Sequence, residues 1–471
     1  MDVNRLKIDI PVKKNNYYEM EIQSLGHEGE GVGRIEGYTV FVPQALPGDK
    51  IKVQIVHVKS SYGYGKIIEI IQPSKSRIKP VCPVFDKCGG CQLQHLSYSE
   101  QLKMKKQQVV DNLKRIGKLE DVIIHDTLGM DKPDRYRNKA QFPVGFDPAE
   151  RSIKVGSYAP KSHNIIETSD CYIQHGVNKK VIEQLKLWMK KYNVQAYDES
   201  TGKGLIRHIF TRVGIRSGEI MVALVTNCSK LPHQDKLVEQ IRELDDKIVS
   251  IVQNINTKQT NVILGKENKV LWGKDSITDY IGDIKFNISP MSFYQVNPIQ
   301  TEVLYNKAME YAGLSGDETV FDIYCGIGTI SLFLAQKAKK VIGVEIVPEA
   351  IADAKNNAAL NDMENTEFHV GAAEEVIPRL YKQGYEADVV VVDPPRKGCD
   401  EALLDTIVKM GVEKLVYVSC NPSTLARDLR YLEDRGYRTV EVQPVDMFPF
   451  TFHVETVVMI EKQTIQDVAE R

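Results

Sequence analysis

Residues 319–329 read Thr-Val-Phe-Asp-Ile-Tyr-Cys-Gly-Ile-Gly-Thr, an apolar run that ends in a Gly-x-Gly turn. Glycines after a strand permit a tight turn and a close approach of the backbone to a ligand. Glu345 ends the next predicted strand, where a carboxylate can accept both hydroxyl groups of a ribose. Ser331 stands where a dinucleotide-binding motif would have its third glycine, so the stretch favours S-adenosylmethionine over NAD. A tight turn without a ligand is the alternative.

From this stretch onward, strand-like and helix-like patterns alternate. Val389 to Val392 is a run of four valines, and continuous apolar strands are typical of a parallel sheet that is buried on both faces. Seven strands with intervening helices predict a doubly wound, Rossmann-like α/β domain over residues 291–471. The predicted strands are 319–324, 340–345, 366–371, 388–393, 414–419, 438–444 and 454–460.

Two motifs end strands of this predicted sheet, namely Asp393-Pro394-Pro395-Arg396 and Ser419-Cys420-Asn421-Pro422. Ligands of open α/β sheets bind at the carboxyl ends of the strands, so we expect both motifs to face one crevice. The two prolines fix the first loop, which suits recognition of a planar base, although a stiff turn is the simpler interpretation. Cys420 precedes a helix start, which we expect to lower its thiol pKa, so we favour a nucleophile over a buried structural cysteine.

Glu455 is the candidate partner of this cysteine. It lies close in sequence to Phe448, Phe450 and Phe452, and apolar surroundings raise the pKa of a carboxyl group and suit it to proton transfer. A methyl donor site, a thiol and a base around one crevice fit the methylation of uracil carbon 5. That carbon becomes nucleophilic once a thiolate has added to carbon 6.

The chain before residue 291 divides into two predicted parts. Five short strands with glycine-rich turns between residues 17 and 72 predict a small OB-like β-barrel within residues 1–74. Residues 75–290 mix strands and helices and are predicted to form a central α+β domain. Within it, an apolar stripe predicts a helix over 97–116 that packs on the C-terminal domain.

Three cysteines stand close together in a loop of this central part. Cys82, Cys88 and Cys91 have C-x5-C-x2-C spacing, and Cys171 is available as a fourth thiol. Such a cluster indicates a metal site, and its spacing leaves zinc and a [4Fe–4S] cluster both open, with free thiols as the alternative. The first gap differs from the C-x3-C-x2-C of radical enzymes, so we expect a closed, structural site.

Composition limits the class of protein. The 471 residues are 42% hydrophobic and 26% charged, as in globular proteins of about three domains. No apolar run reaches the 18 residues of a membrane span, and the polar N-terminus shows no secretory signal, so we expect a cytoplasmic monomer. The first 291 residues hold 44 basic and 34 acidic residues, whereas the remainder holds 17 and 29. A basic front half is compatible with RNA binding and equally with uneven solvation.

Taken together, these motifs resemble the RNA 5-methyluridine methyltransferases, specifically their 23S ribosomal RNA branch. Residues 24–33, 40–43 and 46–49 resemble a TRAM domain, which is an RNA-binding barrel. The transfer RNA branch of the family looks like it lacks both this barrel and the cysteine cluster, so the two features favour the ribosomal RNA branch. The resemblance implies that the four cysteines bind a [4Fe–4S] cluster, that Cys420 is the nucleophile and that Glu455 is the base. It implies further that S-adenosylmethionine is bound by Gln295, Tyr324, Glu345 and Asp393.

Two details of the resemblance are less direct. Phe293 and Asn297 are implied to contact the target nucleotide, and Ala372 stands where the family often has an asparagine near the adenine. We therefore expect methylation of carbon 5 of uridine in 23S ribosomal RNA. The alternatives are the same reaction on transfer RNA, methylation of an exocyclic base amine, and a non-catalytic RNA-binding factor. A radical methylthio-transferring enzyme is disfavoured by the cysteine spacing.

Overall fold

The structure is a computed structural model that describes residues 10–168 and 170–463. The outermost residues of the predicted first and last domains therefore lie outside the described residues. Among the residues that are described, no helix combines the length and the apolar composition that a bilayer span requires.

The N-terminal part is a closed five-stranded barrel, as predicted, with strand order β1-β2-β3-β5-β4. Inward-facing aliphatic side chains such as Val40, Ile51 and Val53 are fully buried and fill it. Alternation of buried and exposed residues along the strands gives the barrel its single core. Its strands are β1 (Tyr17–Leu25), β2 (Gly31–Ile35), β3 (Tyr38–Val42), β4 (Lys50–Val58) and β5 (Tyr62–Gln72).

The central part contains a helix, a seven-stranded sheet and a hairpin. Helix α1 (Tyr98–Asn112) continues into a π-helical turn, Leu113–Gly117, and then into the two-residue strand β6 (Ile123–Ile124). The sheet has the order β13-β12-β11-β10-β7-β8-β9, and α2 and α3 pack on one face of it. Its elements are β7 (Lys139–Asp147), β8 (Ser152–Tyr158), β9 (Ile165–Glu167), α2 (Val177–Lys191), β10 (Ile206–Val213), β11 (Ile220–Thr226), α3 (Gln234–Arg242), β12 (Ile248–Ile255) and β13 (Glu267–Gly273). The hairpin pairs β14 (Ile277–Ile281) with β15 (Ile284–Ile288).

The C-terminal part is a doubly wound sheet with buried helices on both faces. Its strand order is β18-β17-β16-β19-β20-β22-β21-β6, in which the first five strands are parallel and β22 runs antiparallel to β20. The elements are α4 (Pro298–Ala312), β16 (Thr319–Ile323), α5 (Thr329–Ala335), β17 (Lys340–Glu345), α6 (Pro348–Leu360), β18 (Thr366–Val370), α7 (Ala373–Lys382), β19 (Val389–Val392), α8 (Glu401–Met410), β20 (Lys414–Ser419), α9 (Pro422–Glu433), β21 (Tyr437–Val445) and β22 (Glu455–Lys462).

The sheet differs from the prediction by one strand. The seven predicted strands are present, and β6 from the central part is added beside β21 as an eighth. This short strand occupies the edge of β21, which would otherwise expose unpaired backbone groups. Helix α1 precedes it and packs on α9, where the hydroxyl of Ser423 donates to Asn112 Oδ1 at 2.7 Å. The central part thus contributes two elements to the C-terminal domain.

Candidate active site

The Gly-x-Gly turn lies between β16 and α5, at the carboxyl end of the sheet. Tyr324, Gly326 and Gly328 all have positive φ angles, of 73°, 56° and 81°. Gly328 also lies so close to Ala354 and Phe368 that a Cβ atom would stand 3.2 Å from the side chain of Ala354. The turn therefore requires glycine at this position for both conformation and space.

Glu345 lies next to this turn, at the end of the adjacent strand β17. Its carboxylate accepts hydrogen bonds from the backbone N–H groups of Gly326, at 3.3 Å, and Val347, at 2.9 Å. The turn and the acid that were predicted to share a site are therefore in direct contact. The half-buried side chain of Tyr324 lies beside them, and burial raises the pKa of its hydroxyl.

Asp322 is a buried acid beneath the turn that the sequence did not single out. Its carboxylate accepts a hydrogen bond from the hydroxyl of Ser331, the residue that replaces the third glycine of the dinucleotide motif. Asp322 Oδ1 is buried and has no partner among the described residues. Burial raises the pKa of Asp322 to about 7, although Ser331 opposes this change. The serine thus fixes an acid below the turn.

Strand register brings Cys420 and Glu455 together. In the antiparallel pair β20 and β22, Ser419 lies opposite Thr456. Because the strands run in opposite directions, Cys420, which follows Ser419, faces Glu455, which precedes Thr456. The charges of Glu455 and Asp393 both raise the pKa of the Cys420 thiol, which shows that the two carboxylates lie near the sulfur. The predicted nucleophile, base and strand-end acid therefore lie near one another at the strand ends that were predicted to face one crevice.

The environment of Cys420 differs from the expectation at one point. The helix start was expected to lower the thiol pKa, but burial, followed by Glu455 and Asp393, raises it to about 11. The positive charge of Arg396 opposes this effect without overcoming it. Burial and the two acids thus disfavour the thiolate of Cys420 in the ligand-free protein.

Glu455 is buried, and its surroundings favour the protonated form of its carboxyl group. It is 5% exposed, and burial together with Asp393 raises the pKa of its carboxyl well above the usual value. Burial also raises the pKa of Asp393 to about 7, with the charge of Asp322 adding to the shift. The charge of Asp322 thus disfavours ionisation of Asp393, and the charge of Asp393 disfavours ionisation of Glu455.

The two loops that end β19 and β20 are joined directly. The backbone carbonyl oxygen of Arg396 accepts hydrogen bonds from Asn421 Nδ2, at 3.0 Å, and from the hydroxyl of Thr424, at 3.2 Å. Asn421 also caps α9 by accepting from the N–H of Ser423. The Asp-Pro-Pro-Arg loop is therefore fixed relative to Cys420, whereas the Arg396 side chain is exposed near the crevice.

The segment before α4 contains three predicted site residues that differ in their exposure to solvent. Phe293 is 67% exposed, whereas Asn297 is fully buried. Asn297 accepts from the N–H of Gln300 and donates to the carbonyl oxygen of Met447, so it caps α4 and cannot contact a nucleotide without losing these bonds. Gln295 is half-buried, and Asn138 donates to its backbone oxygen. Ala372 precedes α7 without a side-chain cap.

The four cysteines lie near one another between the barrel and the central sheet. Cys82, Cys88 and Cys171 each raise the pKa of Cys91 by their charge, after the larger effect of burial. All four are free, and the N–H of Gly90 donates to the sulfur of Cys88 at 3.3 Å. Even so, residues 10–168 and 170–463 contain no group of three potential ligands close enough to hold a metal ion as they stand.

Residues 446–454, the loop before Glu455, connect the crevice to the rest of the chain. The backbone oxygen of Phe450 accepts from the N–H groups of Gln92 and Leu93, directly after the cysteine loop. Asp446 and Lys105 of α1 form an ion pair that is buried on both sides, and Tyr98 donates to the same carboxylate at 2.8 Å. No sequence pattern indicated this loop, because its contacts span more than 340 residues.

Comparison with known proteins identifies the family as one of RNA methyltransferases. Residues 11–68 match the TRAM domain, and residues 97–463 match the family described as tRNA (Uracil-5-)-methyltransferase. The chain therefore belongs to the RNA uracil-5-methyltransferase family, whose methyl donor is S-adenosylmethionine, and the family resemblance of the sequence is confirmed.

Relatives support this at full length. Uncharacterized RNA methyltransferases of Clostridium tetani and Halalkalibacterium halodurans are each 55% identical over 455 residues, which is 97% of this chain and 98% and 99% of theirs. A solved structure, the Pyrococcus abyssi tRNA (uracil-54, C5)-methyltransferase in complex with S-adenosyl-L-homocysteine, is 28% identical with a TM-score of 0.76. The match covers 94% of this chain and 100% of that one.

Proposed function

We propose that this protein methylates carbon 5 of uridine in 23S ribosomal RNA through a covalent bond between Cys420 and carbon 6 of the base. The observation that carries the proposal is the register of β20 and β22, which sets Cys420 against the buried Glu455 beside Asp393. The division of labour is proposed to follow the chain, with residues 1–74 and 75–290 binding RNA and residues 291–471 carrying the chemistry.

The chemistry uses the thiol of Cys420 and the carboxyl group of Glu455, each of which must first lose its proton to solvent. The sulfur of Cys420 forms a bond to carbon 6 as the double bond between carbons 5 and 6 breaks, which leaves an enolate with its electron pair on carbon 5. Carbon 5 would then accept the methyl group that S-adenosylmethionine supplies, with S-adenosylhomocysteine as the leaving thioether. The ionised carboxylate of Glu455 removes the remaining proton from carbon 5, the double bond re-forms as the carbon–sulfur bond breaks, and Cys420 leaves as a thiolate.

The cofactor is proposed to bind along the carboxyl ends of β16, β17 and β19. Glu345 would exchange its backbone bonds for the ribose hydroxyl groups. Gln295, Tyr324 and Asp393 complete the set of residues proposed for S-adenosylmethionine. Asp393 suits a position near the cationic sulfonium, because a positive charge would restore the ionised form that burial disfavours.

Cys82, Cys88, Cys91 and Cys171 are proposed to hold a [4Fe–4S] cluster, with zinc as the alternative. Four free, partly buried thiols that lie within electrostatic reach of one another fit a thiolate-bound metal, which needs them to close up further. Such a group would fix the cysteine loop against the Phe450 carbonyl. Iron, sulfide and zinc analysis of anaerobically purified protein and its Cys91→Ser variant tests this. Loss of iron and sulfide together in the variant supports the cluster, and stoichiometric zinc in the wild type contradicts it.

The decisive experiment for the reaction is mass spectrometry of nucleosides. Anaerobically purified protein is incubated with S-adenosylmethionine and unmodified 23S ribosomal RNA transcript, beside Cys420→Ala and Glu455→Gln. We expect 5-methyluridine with the wild type, none with Cys420→Ala, and a stable protein–RNA adduct with Glu455→Gln. Methylation of a base amine, or activity of Cys420→Ala, would overturn the mechanism.

Transfer RNA is the second candidate substrate, since the solved relative from Pyrococcus abyssi acts on uracil 54 of tRNA by its own description. The same assay with unmodified transfer RNA transcript decides between the two. Methylation of transfer RNA alone would retain the chemistry and refute the choice of substrate.

A further inference from the structure

A groove of about 1540 Å³ lies in the central part of the chain, and the reaction proposed above makes no use of it. It is bounded by β7 and β8, by the C-terminal half of α2 and by residues 193–204, and β10 lies at its base. Sites for small ligands hold about 300–1,000 Å³, so this groove is large enough for a segment of a macromolecule.

The charges that face the groove are mainly positive. Five basic and three acidic side chains line it. Among residues 10–168 and 170–463, the exposed cations Arg151, Lys190 and Lys203 have no carboxylate within ion-pair distance. Of the three acids, Glu199 is already bonded to His163. Glu183 and Asp198 likewise have no cation within ion-pair distance in the described part of the chain, so the groove has an excess of two positive charges for an anionic partner.

Aromatic rings are interleaved with these charges. Tyr158 and His163 are stacked with centroids 5.2 Å apart. Tyr197 is buried, and the guanidinium of Arg207 covers its ring at 4.3 Å from the centroid, so this ring is not open to a base. Phe146 is 58% exposed at the rim. Rings that alternate with cations are the usual means of binding single-stranded nucleic acid, because every base can stack on a ring.

Buried polar groups in the floor of the groove lack protein partners. His208 is 6% exposed, lines the groove, and has no hydrogen-bond partner for either ring nitrogen within the part of the chain that the structure describes. Arg207 is 4% exposed and donates to the backbone oxygens of Asn256 and Lys258, but its Nε is likewise unpartnered. Unsatisfied buried groups of this kind are rare and indicate a missing polar partner.

One wall of the groove contacts the cysteine loop and the barrel. The backbone oxygen of Tyr158 accepts from the N–H of Gly89 in the cysteine loop, at 3.0 Å. That loop leads to Gln92, whose N–H binds the Phe450 oxygen five residues before Glu455. On the other side, Lys161 contacts Glu28 of the barrel at 3.2 Å.

We infer that this groove binds a single-stranded segment of the substrate RNA outside the target nucleotide, with the cations holding phosphates and the rings holding bases. The inference rests on the proposed function in that it takes RNA as the substrate. It deepens the RNA-binding role proposed for residues 75–290 by placing that binding at one groove with named cations and rings.

The test measures RNA binding by a variant that lacks the three unpaired cations and by a matched variant that lacks three cations outside the groove. Arg151→Gln/Lys190→Gln/Lys203→Gln removes charges from the groove, and Lys230→Gln/Lys266→Gln/Lys269→Gln removes three exposed charges from elsewhere in the same sheet domain. The probe is a fluorescein-labelled fragment of 23S ribosomal RNA, titrated at several potassium chloride concentrations. Each phosphate contact to a single strand contributes about 0.7 to the slope of log affinity against log salt.

We expect the groove variant to bind at least tenfold more weakly and to lose about 2 from the salt slope, since three contacts are removed. The matched variant keeps the wild-type slope, and in methylation assays the loss in the groove variant falls on KM. Equal losses in both variants, or none in either, would overturn the inference. Absence of 5-methyluridine from the wild type would instead refute the proposed function and leave the binding result interpretable.

Photocrosslinking gives a second, independent measurement. RNA carrying 4-thiouridine outside the target site should crosslink to peptides within residues 146–165 and 190–208. Crosslinks confined to the barrel and the C-terminal domain would contradict the inference, even if the charge variants bound weakly.

Discussion

Replacing Lys105 with methionine should loosen the loop that precedes Glu455. The ammonium group is completely buried, forms an ion pair with Asp446 and donates to the oxygen of Phe448 at 3.1 Å. Removal of one partner leaves a buried carboxylate without its counter-charge, which costs about 3–5 kcal/mol. Tyr98 still donates to that carboxylate, so we expect the lower end of the range.

Hydrogen exchange is the assay that localises this loss. The N–H of Phe450 donates to Gln101 of α1 at 3.0 Å, so its protection reports the attachment of the loop to the helix. Each 1.36 kcal/mol changes an equilibrium by a factor of ten, so a loss of about 3 kcal/mol in stability corresponds to a drop of more than about 100-fold in protection of the Phe450 N–H from exchange. Because Glu455 follows in the same chain segment, we also expect the methylation rate to fall at least tenfold.

Two further variants decide whether the reasoning is right. Lys103→Met, on the same helix, removes an exposed cation whose pair with Glu100 is worth at most about 1 kcal/mol, so it should leave protection unchanged. Lys105→Met/Asp446→Asn removes both charges and should recover most of the loss. If Lys105→Met behaved like Lys103→Met, or if the double variant were as weakly protected as the single one, the ion pair would not hold the loop.

Three further predictions concern the crevice. Burial raises the pKa of Asp322 to about 7 from a usual 3.8, so its contribution to stability is complete below pH 3.8 and is lost as pH rises through 7. Asp322→Asn should therefore melt at a higher temperature than the ligand-free wild type at pH 8. A difference in melting temperature that did not grow between pH 5 and pH 8 would refute this. Arg396 lowers the pKa of Cys420, so Arg396→Gln should shift the rising limb of single-turnover methylation to higher pH, whereas the adjacent Lys397→Gln should not. Ala372→Asn should stabilise the protein by about 1 kcal/mol by capping α7 and should tighten S-adenosylmethionine binding by calorimetry, whereas Asp400→Ala, which removes the cap of α8, should destabilise by a similar amount.

Sequence patterns predicted the C-terminal sheet well because its signals are local. The strand at 414–419 was placed to the residue, and the Val389–Val392 run identified a central parallel strand, since continuous apolar runs fit no other position. The meeting of Cys420 with Glu455 could be anticipated only by supposing that the thiol needed a base. Its physical cause is strand register, which pairs residues 37 positions apart at Ser419 and Thr456.

Other features could not be predicted from the sequence, because they depend on tertiary burial. The thiol pKa of Cys420 moves opposite to the expected direction, since a sequence shows the helix start but hides the two acids and the desolvation. The buried Lys105 stands in a helix whose sequence is mostly polar. The role of Lys105 depends on its ion pair with Asp446, which lies 341 residues later in the sequence. The burial of Asn297 likewise depends on its hydrogen bond to the backbone oxygen of Met447.

The pairing of α1 and β6 with the C-terminal sheet has a consequence for synthesis of the chain. Lys105 leaves the ribosome 341 residues before Asp446, which is about 20 to 70 seconds at 5–20 residues per second. During that interval Lys105 of α1 has no counter-ion, and β6 has no neighbouring strand to pair with. Such high contact order slows folding. The active site therefore cannot be completed before Asp446 has been synthesised, and a fragment starting at residue 291 would lack part of its own domain.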